Sequence, residues 1–210
     1  DYNLATGLVE RQVQLPADCL SDVGSRSTVK VLGGRIYSAT TNGMVDIRAV
    51  ADGAIVRRVK VEENPIRLFS VSAGGRYMFG QVPALKQFRL WDLESGGVVE
   101  QFPDFAVGET WEGWDRAKRV AFSPDGRTLA YASTNFGIAV WDTVERKRRA
   151  MLMGHTWNIF AVKFSPDGSL LASRPGPARM PTVSGSMSLS TISNPRGRMG
   201  VDKLKSLSAR

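Results

Sequence analysis

The sequence predicts an all-β fold of consecutive four-stranded antiparallel units, on three observations. Turn glycines recur in GGR at 33–35 and 74–76, DGR at 125–127 and DGS at 167–169; the glycines at 34, 75, 126 and 168 are spaced by 41, 51 and 42 residues. A short apolar run follows each of them: IYSAT, YMFGQ, TLAYAS and LLAS. A second apolar run carries Arg48, Trp91 or Trp141, 14 to 16 residues beyond its Gly, in Ile47-Arg48-Ala49, Leu90-Trp91-Asp92 and Val140-Trp141-Asp142. Self-similarity at about 40–45 residues, with four short strands per unit and a Trp-Asp pair, is the pattern of β-propeller blades.

The elements follow in order. Residues 1–28 open with DYNLATGLVERQV, which reads as the outer strand of a preceding blade and its connector; Gly7 precedes Gly53 and Gly96 at intervals of 46 and 43. Residues 29–173 hold the repeats: about three complete blades and part of a fourth, the arc of a larger ring. The SPDG runs at 123–126 and 165–168 fit tight turns. Pro presets φ, Asp caps the bend, and Gly takes the conformation a Cβ forbids. The flanking runs alternate β-branched and aromatic residues, as half-buried strands require. A single blade cannot bury both faces, so neighbours must pack face to face.

From about 86 to 173 these residues resemble the WD-repeat family: Val120-Ala121-Phe122-Ser123-Pro124-Asp125-Gly126 with Val140-Trp141-Asp142, then Gly154-His155-Thr156 with Val162-Lys163-Phe164-Ser165-Pro166-Asp167-Gly168. The resemblance is weaker over 29–83, where no Trp-Asp pair or SPDG occurs. Its structural positions fall on Trp91, Asp92, Asp125, Gly126, Trp141, Asp142, His155, Asp167 and Gly168. The resemblance implies a propeller that scaffolds protein complexes. It also implies a buried set of His, Ser or Thr, Asp and Trp in each unit. The unit around Trp141 offers Ser133, but Asn135 in the turn region and Gly113 in the place of His, so apolar packing is expected to hold the blades.

Composition divides at the end of the repeats. The chain carries a net charge of +8, of which residues 172–210 supply +6 through seven basic residues and one acidic. Residues 174–210 therefore read as a Ser/Pro/Arg-rich tail without packed structure, or a non-native stretch from a slipped reading frame. A nucleic-acid arm is the weaker reading, because no aromatics interleave with the basic residues. One Cys, Cys19, and one His exclude an intrachain disulfide and the usual zinc sets. No apolar run reaches the 18 residues or so of a membrane span, and a cytoplasmic location is expected. His155 sits at a repeat-defined place with no nucleophile motif beside it, so its role reads as structural. The basic run at 146–149 reads as a solvated blade edge that discourages strand pairing. No catalytic residue, metal site, cofactor or small-molecule substrate is predicted.

One stretch exceeds what the fold needs. Asp92 to Gly126 takes 34 residues where Asp142 to Gly168 takes 26, so eight are inserted, within FPDFAVGETWEGWD at 102–115. In the family resembled, this connector lies on the ring's narrow face, which partners use. Aromatics on exposed loops are typical anchors, so Phe105, Trp111, Trp114 and Trp157 are the expected partner-binding residues. The function that follows is a non-catalytic protein-interaction scaffold. The alternative is a regulatory or substrate-gating propeller of an enzyme (peptidase, kinase or NTPase) whose catalytic domain lies outside this chain.

Overall fold

The computed structural model describes residues 29–105, 116–175, 187–191 and 205–207. These form four antiparallel sheets of four strands, in each of which strands consecutive in the chain are neighbours. The first holds β1 (Val29–Leu32), β2 (Arg35–Ala39), β3 (Met44–Ala49) and β4 (Ile55–Lys60). The second holds β5 (Arg67–Val71), β6 (Tyr77–Val82), β7 (Gln87–Asp92) and β8 (Val98–Gln101). The third holds β9 (Val120–Phe122), β10 (Thr128–Ala132), β11 (Ile138–Asp142) and β12 (Lys147–Leu152). The fourth holds β13 (Ile159–Phe164), β14 (Leu170–Pro175), β15 (Met187–Thr191) and β16 (Lys205–Leu207).

The fourth sheet corrects the expectation for the end of the chain. Residues 174–210 contribute two strands: β15 pairs with β14 from Leu170↔Thr191 to Ser173↔Ser188, and β16 pairs with β15. Two physical reasons were available. MSLST alternates large apolar residues with Ser, the period of a strand, and β14 without β15 would leave a row of unpaired backbone groups.

The first turn of the second, third and fourth sheets is built locally. Gly75, Gly126 and Gly168 take φ near +72° and donate N–H to the carbonyls of Ser72, Ser123 and Ser165 at 2.7–2.9 Å. The hydroxyls of those same serines accept N–H from Tyr77, Thr128 and Leu170, each at 2.9 Å. Where the turn also carries Asp, as at Asp125 and Asp167, its carboxylate accepts the Ser O–H and the N–H of Arg127 or Ser169. These contacts hold the Asp167 carboxyl down at about 2, led by the Ser165 hydroxyl.

Apolar packing holds the sheets together. Between the first and second lie Tyr37, Val45, Ile47, Met78, Val82 and Trp91; between the second and third, Phe79, Leu90, Phe102, Phe105, Leu129, Tyr131 and Trp141. Ala132, Ile138, Leu152, Ile159, Val162 and Leu171 fill the space between the third and fourth. Trp91 is fully buried, and removing such a ring costs about 3–5 kcal/mol. The same bulge recurs between third and fourth strands, at Ile47/Arg48, Leu90/Trp91 and Val140/Trp141, and twists each outer strand outward.

The Trp-Asp carboxylates close the next turn. Asp92 accepts Arg76 Nη2 at 3.0 Å and the Glu94 N–H at 2.9 Å; Asp142 accepts the N–H groups of Val144 and Glu145 at 2.7 Å and pairs with Arg149. The first sheet has Arg48 and Ala49 in those places. Its buried carboxylate is Asp46, gripped by Arg48 at 2.9 Å and Arg58 at 2.6 Å, and the Arg58 hydrogen bond holds it below the ordinary carboxylate range.

A candidate protein-interaction surface

The two ends of the sheets are built differently. At one end are the turns from first to second strand and from third to fourth. These are short and carry Gly34, Gly53, Gly75, Gly96, Gly126 and Gly168 at positive φ. Of the basic run at 146–149, Lys147 and Arg149 pair at this end, with Glu145 at 2.8 Å and with Asp142, while Arg148 in β12 reaches Asp104 at 3.1 Å. At the other end are the turns joining second to third strand and the connectors that lead from one sheet to the next.

Every complete second-to-third turn places a left-handed residue at its end, directly before the third strand in the first and second sheets and one residue earlier in the third. Gly43 has φ +72°, Lys86 has +54° and Phe136 has +61°. In the first sheet this position is sealed. Val61 and Glu62 of the following connector donate N–H to the Gly43 carbonyl at 3.1 and 3.2 Å, and a Cβ there would come within 2.1 Å of the Glu62 carbonyl oxygen. The third sheet repeats the turn, with the Ser133 N–H on the Gly137 carbonyl where Thr40 bonds Met44. Asn135 Oδ1 accepts the Gly137 N–H at 3.1 Å. Phe136 stands in the place of Gly43, and its ring is 39% exposed.

Other apolar groups share this end. Gly137 lies against the sulfurs of Met151 and Met153, so close that a Cβ would fall 2.8 Å from both. Met153 is 53% exposed and begins the connector that carries Trp157, exposed at 38%; Leu85 is exposed in the turn of the second sheet.

A polar knot fixes the third turn from below. Asp104 accepts the Tyr131 hydroxyl at 3.0 Å, the Ser133 hydroxyl at 3.3 Å and Arg148 Nη1 at 3.1 Å, while its carbonyl accepts the Thr134 N–H at 2.9 Å. Burial and the neighbouring Asp104 carboxylate push the Tyr131 phenol well above its usual value. In the next unit Ser173 occupies the strand position of Tyr131 and hydrogen-bonds His155 Nε2 at 2.7 Å. Asp104 thus does for the third sheet what His155 does for the fourth. The sequence offered Gly113 for this place, which lies outside the described residues, and its repeat motifs gave no sign of Asp104. The usable signal was an Asp two residues after the outer strand's last aromatic. The indole N–H groups of Trp91 and Trp141 have no hydrogen-bond partner among the described residues.

The expected partner residues fare differently. Phe105 is a correction: it is 1% exposed, bridges to Ser133 and packs on Phe88 at 4.5 Å and Phe79 at 5.2 Å, so it belongs to the core between the second and third sheets. Its strand-like pairing turns the ring inward. Trp111 and Trp114 lie outside the described residues. Trp157 is exposed at the loop-bearing end. His155 is half-buried against Ser173, and burial lowers its pKa. Among the described residues no group of His, Cys, Asp and Glu is arranged for a metal, and no helix is long and apolar enough to cross a membrane.

Comparison with known proteins agrees with this construction. Residues 146–174, from the outer strand of one sheet through β14, match the family described as WD domain, G-beta repeat. That stretch is a WD repeat. The chain is 37% identical over 70 residues to the small ribosomal subunit protein RACK1y of Oryza sativa subsp. japonica, covering 33% of this chain and 21% of that protein. It is 36% identical over 62 residues to the U5 small nuclear ribonucleoprotein 40 kDa protein of Pongo abelii, 30% of this chain and 17% of that one. A pre-mRNA-processing factor 19 homolog 2 of Arabidopsis thaliana matches at 28% over 119 residues, 57% of this chain and 19% of the other. The chain thus spans about a fifth of the length of these curated relatives. Among solved structures, Kuenenia stuttgartiensis hydrazine synthase superposes with a TM-score of 0.56 at 16% identity, over 89% of this chain and 50% of that one, a likeness of fold alone.

Proposed function

We propose that this WD-repeat chain is a non-catalytic protein-interaction platform, and that the end bearing the second-to-third turns and the inter-sheet connectors binds the partner. One observation carries the reading: the turn position sealed around Gly43 in the first sheet presents an exposed Phe136 in the third. The opposite end is closed by short glycine turns and compensated ion pairs, which leave little for a partner to grip. Two of the similar proteins are, by name, a ribosomal subunit protein and a component of a small nuclear ribonucleoprotein, which supports partners within multi-component assemblies. Residues 29–173 form the interaction domain in this reading, and its setting is the cytoplasm.

Site-specific photocrosslinking tests it. A benzoylphenylalanine placed at Asn135 or Asn158 in the full chain should crosslink to another protein in cells. The same group at Asp52 or Ser95, in the opposite turns, should not. Equal crosslinking from both ends, or crosslinks to nucleic acid alone, would overturn the assignment.

A further inference from the structure

Phe136 is costly where it stands. A bulky L-residue at positive φ is a genuine outlier, and the left-handed conformation costs about 1–2 kcal/mol. Gly fills the same position in the first sheet without that strain, so the turn does not require an aromatic. Phe136 is nonetheless left 39% exposed, and it stacks on no other aromatic ring among the described residues. Strain retained at a solvent-facing aromatic points toward a use outside the fold.

The surroundings define that use. The pairing of Ile138 with Leu152 brings Gly137 opposite Met153, so Phe136 and the exposed Met153 thioether are neighbours at the strand ends. The connector running on from Met153 carries Trp157. Residues 133–137 and 153–158 contain no Asp, Glu, Lys or Arg. Among the described residues Asp104, which holds this turn through Thr134 and Ser133, is paired with Arg148 at 3.1 Å. A charged partner side chain would lose its hydration here and find no counter-charge. A polarizable, adaptable thioether beside an exposed aromatic suits one large apolar side chain, and Asn135 and Thr134 at the rim are exposed to meet a peptide backbone.

We infer that Phe136, Met153 and Trp157 form a docking patch for an uncharged peptide segment that inserts a single Leu, Met or Phe. This rests on the interaction-platform reading and names the chemistry of its partner. The test uses the full chain and immobilised heptapeptides of three kinds: one Leu, Met or Phe in a Ser/Asn/Gly context, the same anchors flanked by Asp and Glu, and the same anchors flanked by Lys and Arg. The wild type should retain the neutral peptides. Phe136→Gly should weaken that retention about thirtyfold, the scale of an interface hot spot, while melting no lower than the wild type. Met153→Ser should weaken it in the same direction. Undiminished retention by a folded Phe136→Gly would overturn the patch and leave the platform reading to its crosslinking test. Preference for either charged set would overturn the neutral-partner assignment. Retention of no peptide by the wild type would overturn the inference as well.

Discussion

The turns at 40–43 and 133–136 have the same length, the same hydrogen bond across their necks and the same left-handed last residue, yet one ends in Gly43 and the other in Phe136. Around Gly43 the next connector closes down until no Cβ fits. Around Phe136 the polar knot on Asp104 supports the turn from inside, and Phe136 itself stays 39% exposed. A repeated backbone therefore serves two ends. Where the connector needs the space, the sequence supplies Gly; where a surface is presented, it tolerates strain. The second sheet, with Lys86 at the same position, stands between the two.

The largest effect should come from filling the sealed turn. Gly43→Ala combines left-handed strain with a collision against the Glu62 backbone, and should cost about 3 kcal/mol. Gly34→Ala, at φ +71° with nothing within 4 Å of the added atom, should cost only about 1 kcal/mol. Denaturant midpoints of the two variants check this; equal losses would mean that the seal at Gly43 is loose. Next comes the support of the open turn. Asp104→Ala strips an acceptor from Tyr131, Ser133 and Arg148 at once and should cost about 2 kcal/mol. A loss below about 0.5 kcal/mol, the level of an ordinary surface change, would show that the knot is incidental.

The smallest effect concerns pH. Burial lowers the His155 pKa from 6.5, so the folded chain holds the neutral ring while the unfolded chain binds a proton more readily. Stability is fully present above the unfolded value and falls as pH drops through it toward the folded one. Unfolding at pH 7.5 and 5.5 should show that decline, and His155→Gln should reduce it. An unchanged pH dependence in the variant would remove His155 from the account.

The sequence made the local parts legible. SPDG at 123–126 and 165–168 specifies its own turn, because Ser, Asp and Gly bond within five residues of one another. The strand period and the Trp-Asp pairs placed the sheets for the same reason. The knot was illegible because Asp104 meets Tyr131 and Ser133 across 27 and 29 residues, at the head of a connector whose added length hid the correspondence with His155. Phe105 was misassigned because an aromatic beyond a strand reads alike whether its ring turns in or out; only its bridge to Ser133 decides. Phe136 was passed over since left-handed turns are signalled by Gly, and nothing in the local pattern marks an aromatic that accepts the strain.

Thermal unfolding of Phe136→Gly tests most directly whether that strain is kept for binding and not for folding. Relief of the left-handed conformation should stabilise the chain by about 1 kcal/mol, which raises Tm by roughly 2–4 °C for a domain of this size. A lowered Tm would show that the Phe136 ring contributes packing to the third sheet, and would contradict the account.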